Sequence, residues 1–453
     1  MTRFALHPND ASITLIDSER VRYREPGFAL FDDEVITTGS DAFRQARISP
    51  RRIQHRFWSA LTASTLTDRH FEHLSPADLV SQQLEALWTR HAASGDELIV
   101  AVPANMTRDQ LGLLLGIAAE LSIPIVAMVD AAVAATRREY RNAAPVHIDM
   151  GLHTTAMARL AQAGHAQVEG TEIIEGCGLF QLYDTWLNAI AEAFVEGSRF
   201  DPLHTAETEQ MLVNSLEQWL VEAATQETVA LSLDHAGLQH RAEIESLRLI
   251  GAAAPYYQQI ASQLRALFRA GETPALQITD RVARLPGLAD MLKARVGGEV
   301  FSLEAAATAR GALVRLGNVA ESGSGGVTLL RQLAWDQSAF DVEPASGEQE
   351  DGALPTHLLF QHRAYPLNQA LVLGTQRVDG SRSLTLTGEM PGVSRRHCTL
   401  SHVDGRCVVE DNSRYGTYLN GHRISGSTVL QVGDTLRVGS PGFEMTLIAT
   451  EEC

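Results

Sequence analysis

Short apolar runs alternate with helix-period segments along the first three quarters of the chain. "SITLID" and "VRYREPGFALF" read as strands. "SPADLVSQQLEALWTRHAA" has helical spacing of its apolar positions, with Ser75 as N-cap, Pro76 in the first turn and Asp78 at N3. "ELIVAVPA" and "IPIVAMV" are uninterrupted apolar runs, as in strands buried on both faces, and Thr107 with Gln110 forms a capping box for the helix between them. Residues 111–135 are apolar enough to suggest a membrane span, but Glu120, Pro124 and Asp130 interrupt them, so the pattern predicts helix, strand and helix. This alternation indicates an α/β architecture.

Helical patterning continues over 179–224, followed by "ETVALSLD" as a strand, helices around 256–270, "ALQITD" as a buried strand, and helices over 285–295 and 303–316. From about 317 to 354 the chain turns Gly/Ser-rich ("ESGSGG") and then acidic ("DVEPASGEQEDG"), which reads as a solvated linker. Inside it, "VTLLRQLAW" is apolar enough to dock somewhere, at a place the pattern does not specify. The last hundred residues hold only short strand candidates ("HLLFQH", "QALVLG", "SLTLT", "CTLSHV", "RCVVED", "TYLN", "DTLRVG", "FEMTLIA") separated by Gly, Asn and Asp turns, the pattern of a β-sandwich.

Composition adds three constraints. The 453 residues exceed what one core organises, so two or three domains are expected. The formal charge is −18, and since residues 354–453 balance nine arginines against nine carboxylates, the excess lies in the first 353. An acidic body argues against nucleic acid and anionic membrane as main partners. Lys293 is the only lysine, which excludes any mechanism needing one elsewhere. Cys177, Cys398, Cys407 and Cys453 show no metal spacing, and with no N-terminal signal pattern a reducing cytoplasm is the expected location. His70 and His73 stand three apart without a third ligand nearby, so no metal site is expected.

The motifs "VLGT", "VSRRHCTL", "VEDNSRYGTYLNG" and "VGDTLRVG" resemble, in order and spacing, the forkhead-associated (FHA) family. The resemblance implies a sandwich whose loops at one end bind a phosphothreonine peptide. It places Ser394 as the phosphate-contacting serine, Arg395 as added charge, and Arg414 and Tyr415 in the loop that meets the peptide backbone. It assigns Gly374, His397, Gly416, Thr417 and Asn420 to loop support. The family's usual arginine after the glycine is here Thr375; Arg377 or Arg382 are candidates to replace it, and phosphate-independent protein binding stays open.

Upstream, "LIVAVPANMTRDQLGLLLGIAAELSIPIVAMVDAAVAA", "REPGFALF…VITTGSDAFRQARISP", "LQITDRVARLPGLADML" and "SLEAAATARGAL" resemble the actin-like ATPase superfamily, closest to the DnaK-type heat-shock chaperone nucleotide-binding domain. That resemblance implies ATP gripped in a cleft by two glycine-containing hairpins. The first falls at His7-Pro8-Asn9-Asp10, without the family's aspartate and glycine. The second is "HIDMGLHTTAM", where Asp149, Gly151 and Thr154 are kept but Leu152 and His153 replace glycines and Ala156 a carboxylate. Asp280-Arg281 replaces the glycine pair beside the adenosine, no basic residues match near 217–221, and no catalytic lysine exists in the N-terminal quarter. Asp130 stands where the family has a water-positioning glutamate, although a helix N-cap explains it equally well. No segment resembles the chaperones' peptide-binding β-domain.

The expected fold is an α/β actin-like (ribonuclease H-like) two-lobed domain over residues 1–317, a linker over 318–353, and an all-β FHA sandwich over 354–453. The expected function is a cytoplasmic adaptor or scaffold with a degenerate, DnaK-like pseudo-ATPase. Its partners would be a phosphorylated protein and other subunits of an assembly, with no nucleic acid, no membrane span and no cofactor. Asp149, Gly151, Thr154 and Asp130 are the candidates for residual nucleotide binding. A divergent ATPase using ATP and magnesium, localised by the FHA domain, and a self-assembling actin-like protein stay open as alternatives.

Overall fold

The computed structural model describes the chain except residues 33–34, 68, 72, 270, 318–326, 343–353, 361–362, 378–381, 387–391, 404–405, 421, 425, 433, 440–441 and 449–453. It divides into two compact units, 1–344 and 345–453. Cys453 and the flanks of the expected linker lie outside the described residues.

Two six-stranded sheets organise the first unit. In one, Arg3–Asn9, Ser12–Ile16 and Val21–Glu25 form an antiparallel meander, and Glu97–Val102 then Ile125–Asp130 add in parallel beside Arg3–Asn9. In the other, Ala144–Met150, Thr154–Gln162 and His165–Glu175 form the meander, and Pro274–Ile278 then Glu299–Ser302 add in parallel. Both therefore share one order: three strands by hairpins, two by crossovers. Parallel neighbours require crossovers. In the first sheet Pro76–His91 and Arg108–Glu120 belong to these crossovers, the second with the expected capping box and the first with its expected N-cap extended to a box: Ser75 Oγ accepts from Asp78 N (3.2 Å) and Thr107 Oγ1 from Gln110 N (3.3 Å). The second sheet's long crossover carries Leu179–Ser198, Ala206–Ala223 and Ser246–Ala266, which pack Trp186, Phe194 and Tyr257 into the largest core cluster.

Three boundaries differ from the pattern. The strand in "ETVALSLD" is half of a hairpin, Thr228–His235 with Leu238–Glu245, closed by Ala236 and Gly237 at φ 53° and 77°, the positive pair a two-residue turn needs. The helix expected around 256–270 begins at Ser246 and runs through Pro255. The middle of the expected linker also belongs to the first unit. Leu329–Leu330 pairs with Ile125–Asp130, Gln332–Ala334 with His165–Glu175, and Phe340–Asp341 with Tyr140–Arg141. "VTLLRQLAW" thus docks by completing one edge of each large sheet, which satisfies edge backbone groups.

The second unit is an all-β sandwich. One sheet runs Arg363–Pro366, His357–Phe360, Gly442–Ile448, Thr435–Gly439, Thr417–Leu419, His422–Arg423; the other runs Arg382–Thr385, Leu371–Gly374, Cys398–Val403, Arg406–Asp411, Ser427–Val429. Leu358, Leu373, Leu400, Val409, Leu436 and Leu447 fill the space between them.

Candidate functional site

Each unit holds one candidate site. In the first unit the turns at Asp10 and Gly151 meet. Asp149, at the end of its strand, has Oδ2 accepting from Asn9 Nδ2 (2.8 Å) and Oδ1 accepting from the Thr279 hydroxyl (2.8 Å). Arg281 Nη1 lies 3.7 Å from Oδ1 and His7 Nε2 3.7 Å from Oδ2. Burial pushes the Asp149 carboxyl up, but Arg281, His7 and His147 together hold it down at about 2. Burial depresses His7 itself to about 4, so at neutral pH the imidazole is uncharged and Arg281 is the working counter-ion.

The turn's own donor is already occupied. Leu152 N–H donates to Asp10 Oδ1 at 2.7 Å. A Cβ on Gly151 would stand 2.5 Å from the same oxygen, so glycine here permits the approach of Asp10. Burial pushes the Asp10 carboxyl up to about 6. The space left between Asn9, Asp10, Asn105, Asp149, Gly151 and Thr154 is about 30 Å³, room for a water and not for a triphosphate.

Of the four nucleotide candidates, the fold brings Asp149, Gly151 and Thr154 together around this space, while Asp130 is turned away to cap its helix. Asp130 Oδ1 accepts from Ala132 N (2.9 Å) and Val133 N (3.4 Å). Asp280 is spent on Arg24 (2.5 Å) and Arg284 (2.9 Å). Sequence reasoning missed the role of Asp10 as an internal anion, and missed Thr279; the available signal was a carboxylate directly beside the turn where the resemblance wanted glycine.

Beside the same turn, His55 Nδ1 and His153 Nε2 lie 2.8 Å apart, with the Phe180 ring stacked on His55 at 4.5 Å. Burial, then neighbouring Arg56, depresses His55 to about 4 and His153 to about 3. Both folded values lie below the unfolded one. Their contribution is therefore complete above about pH 6.5 and is lost as pH falls through the folded values. The melting temperature should fall between pH 6.5 and 4, and His55→Phe should flatten that slope; parallel wild-type and variant profiles would reject this assignment.

In the sandwich, three loops converge at one end. Thr375 N donates to Ser394 O (3.2 Å), Gln376 N to Arg395 O (3.3 Å) and Asn412 N to His397 O (2.8 Å). Gly374 is required because a Cβ would collide with the Arg395 carbonyl. His397, fully buried, accepts from Ser394 N at Nδ1 (3.0 Å), which leaves Nε2 to donate to Gly416 O (3.1 Å); burial lowers its pKa, consistent with this neutral tautomer. Gly416 has φ 98°, Thr417 Oγ1 donates to Asp411 (2.8 Å), and Asn420 bridges Asp434 (2.8 Å) and Thr435 N (2.9 Å). These residues frame the loops.

Ser394, Arg395, Arg414 and Tyr415 lie on the accessible side. Ser394 Oγ accepts from Arg414 N (3.2 Å), leaving its O–H as a donor. Arg377, Arg395, Arg396 and Arg414 are exposed, and among the described residues none forms an ion pair. Arg396 was not among the expected site residues. Arg382 is directed elsewhere, with Nη1 donating to Pro366 O (2.7 Å).

Residues 374–439 match the model of the FHA domain family, which spans these loops. In the comparison with curated proteins nothing matched the chain. An FHA domain implies interaction with phosphorylated protein partners. Among the described residues no helix is long and apolar enough to cross a membrane, and no cluster of His, Cys, Asp or Glu could hold a metal ion.

Proposed function

We propose that this chain is an adaptor: its FHA domain binds a threonine-phosphorylated protein, and its first unit is an actin-like, DnaK-like body that no longer works as an ATPase. The observation that carries the first half is the Ser394 hydroxyl, held beside Arg414 N at 3.2 Å, with exposed Arg395, Arg396 and Arg414 that form no ion pair among the described residues. A phosphate dianion needs several such donors converging on it. Arg377, Arg395 and Arg396 supply the charge that Thr375 does not. Anisotropy titration of the full chain with a phosphothreonine peptide and its unphosphorylated form tests this; equal affinities would refute it.

The shared strand order of the two sheets and the meeting of their first turns support the actin-like reading of the body. Against catalysis stand Asp10 on the Leu152 N–H, the Asp149–Arg281 pair and the 30 Å³ left between the turns. Each charge-assisted donor withheld from a phosphate forfeits roughly 1.5–3 kcal/mol. Calorimetry with millimolar ATP and magnesium should register no binding. Micromolar affinity abolished by Asp149→Ala would establish the ATPase alternative instead.

A further inference from the structure

Arg377, Arg395, Arg396, Arg414 and Arg423 are all exposed at the loop end of the sandwich, and among the described residues none forms an ion pair. Arginines elsewhere in the chain find partners: Arg24, Arg47, Arg159 and Arg248 each hold a carboxylate. The carboxylates near the loops are spent on the frame, Asp411 on the Thr417 hydroxyl (2.8 Å) and Asp434 on Asn420 Nδ2 (2.8 Å). One phosphothreonine brings a charge of only about −1.5 to −2, which leaves guanidinium charge unmatched. We propose that the bound peptide carries a second anionic group, an acidic side chain or a second phosphate, and that Arg423 holds it. This rests on the phosphothreonine reading of Ser394 and adds a second requirement to it.

The fold sets the place of Arg423. Thr417–Leu419 and His422–Arg423 form a short hairpin that puts Tyr418 opposite Arg423, and Ile424 N donates to Thr417 O (2.9 Å). Gly416 then directs the side chain. A Cβ on Gly416 would stand 2.5 Å from Arg423 Nε and 3.1 Å from Cζ, so the guanidinium lies across the glycine. That glycine directly follows Arg414 and Tyr415, and Arg414 N is the donor to Ser394 Oγ (3.2 Å). Arg423 therefore borders the loop that reaches the phosphate-contacting serine.

Arg437, on the other side of Tyr418, has no such freedom. It lies over the Tyr418 ring at 4.1 Å and donates to Gly439 O (3.3 Å). Arg423 makes no hydrogen bond or ion pair among the described residues, so its donors are open to a ligand. The planar guanidinium fits a carboxylate and a phosphate alike, because each offers two oxygens at matching separation.

The test uses the full chain and fluorescein-labelled peptides of about nine residues, with a central phosphothreonine in an alanine background. One glutamate is moved through every other position, and phosphoserine through the same positions in a second series. At one position or more, glutamate should raise affinity over the all-alanine parent by roughly fivefold, the scale of one exposed ion pair. A gain with phosphoserine alone would assign the second anion to a phosphate, and equal gains would assign it to either source. The gain should shrink between about 0.05 and 0.5 M salt. Arg423→Gln should remove it, and Arg423→Lys should keep part of it. No gain at any position in either series would overturn the second anion, whether or not the Arg423 variants fold. A gain that survives in Arg423→Gln, or that salt leaves unchanged, would overturn the role of Arg423. A parent peptide bound no better than its unphosphorylated form would overturn the phosphothreonine reading as well; phosphate-dependent binding without a gain would overturn this inference alone.

Discussion

Ser394→Ala should weaken binding of a phosphothreonine peptide to the full chain by more than tenfold, about 1.4 kcal/mol or more. The hydroxyl's one hydrogen bond among the described residues is the one it accepts from Arg414 N, while the other bonds that shape the loop run through Ser394 N, Ser394 O and His397. Loss of the hydroxyl should therefore remove a charge-assisted donor and leave the loop in place. An unchanged melting temperature together with the lost affinity is the expected pair of readings. Arg414→Ala should also weaken binding, and both losses should shrink for the unphosphorylated peptide. Retention of full affinity in Ser394→Ala would place the phosphate elsewhere or remove it from recognition.

Arg281→Met should destabilise the first unit by about 3–5 kcal/mol, the usual cost of leaving a buried charge without its partner. Asp149 and Arg281 are both nearly inaccessible, and with His7 neutral no other cation among the described residues stands as close to that carboxylate. The double variant Arg281→Met/Asp149→Leu should recover much of the loss, since neutralising both members removes the stranded charge. Denaturant titration of the first-unit transition reads both. A single variant as stable as the wild type would show that Asn9 and Thr279 alone sustain Asp149.

Much of the architecture was legible because it is local. Ser75 with Asp78, and Thr107 with Gln110, name their helix starts within four residues. The apolar runs at 98–102 and 125–129 form the cores of the parallel strands Glu97–Val102 and Ile125–Asp130. What failed was local information pointing the wrong way. Pro255 argues for a helix break, but the helix continues through it with Tyr257, Ile260 and Leu264 buried. The 327–342 stretch sits between Gly/Ser-rich and acidic neighbours, and only the open edges of two distant sheets explain its strands.

The FHA loops show the same division. The spacing of Gly374, Ser394, His397, Gly416 and Asn420 identified the domain because each is needed for a turn, a close approach or a buried hydrogen bond that short-range chemistry dictates. That Arg382 bonds to Pro366 O while Arg377, Arg395 and Arg396 stay exposed depends on side-chain direction across strands.

By itself the sequence determined most helices and strands, that the two ends of the chain fold differently, and that Leu152 and His153 follow Gly151 in the turn after Asp149. Only the tertiary structure decided which groups meet at that turn. Asp10 reaches Leu152 N–H across 142 positions, and Arg281 reaches Asp149 across a hundred and more, so the internal anion and its balancing charge exist only once the two sheets meet. Periodicity and propensity act over a few residues; Coulomb attraction in a desolvated site depends on distance in space, which no local pattern encodes.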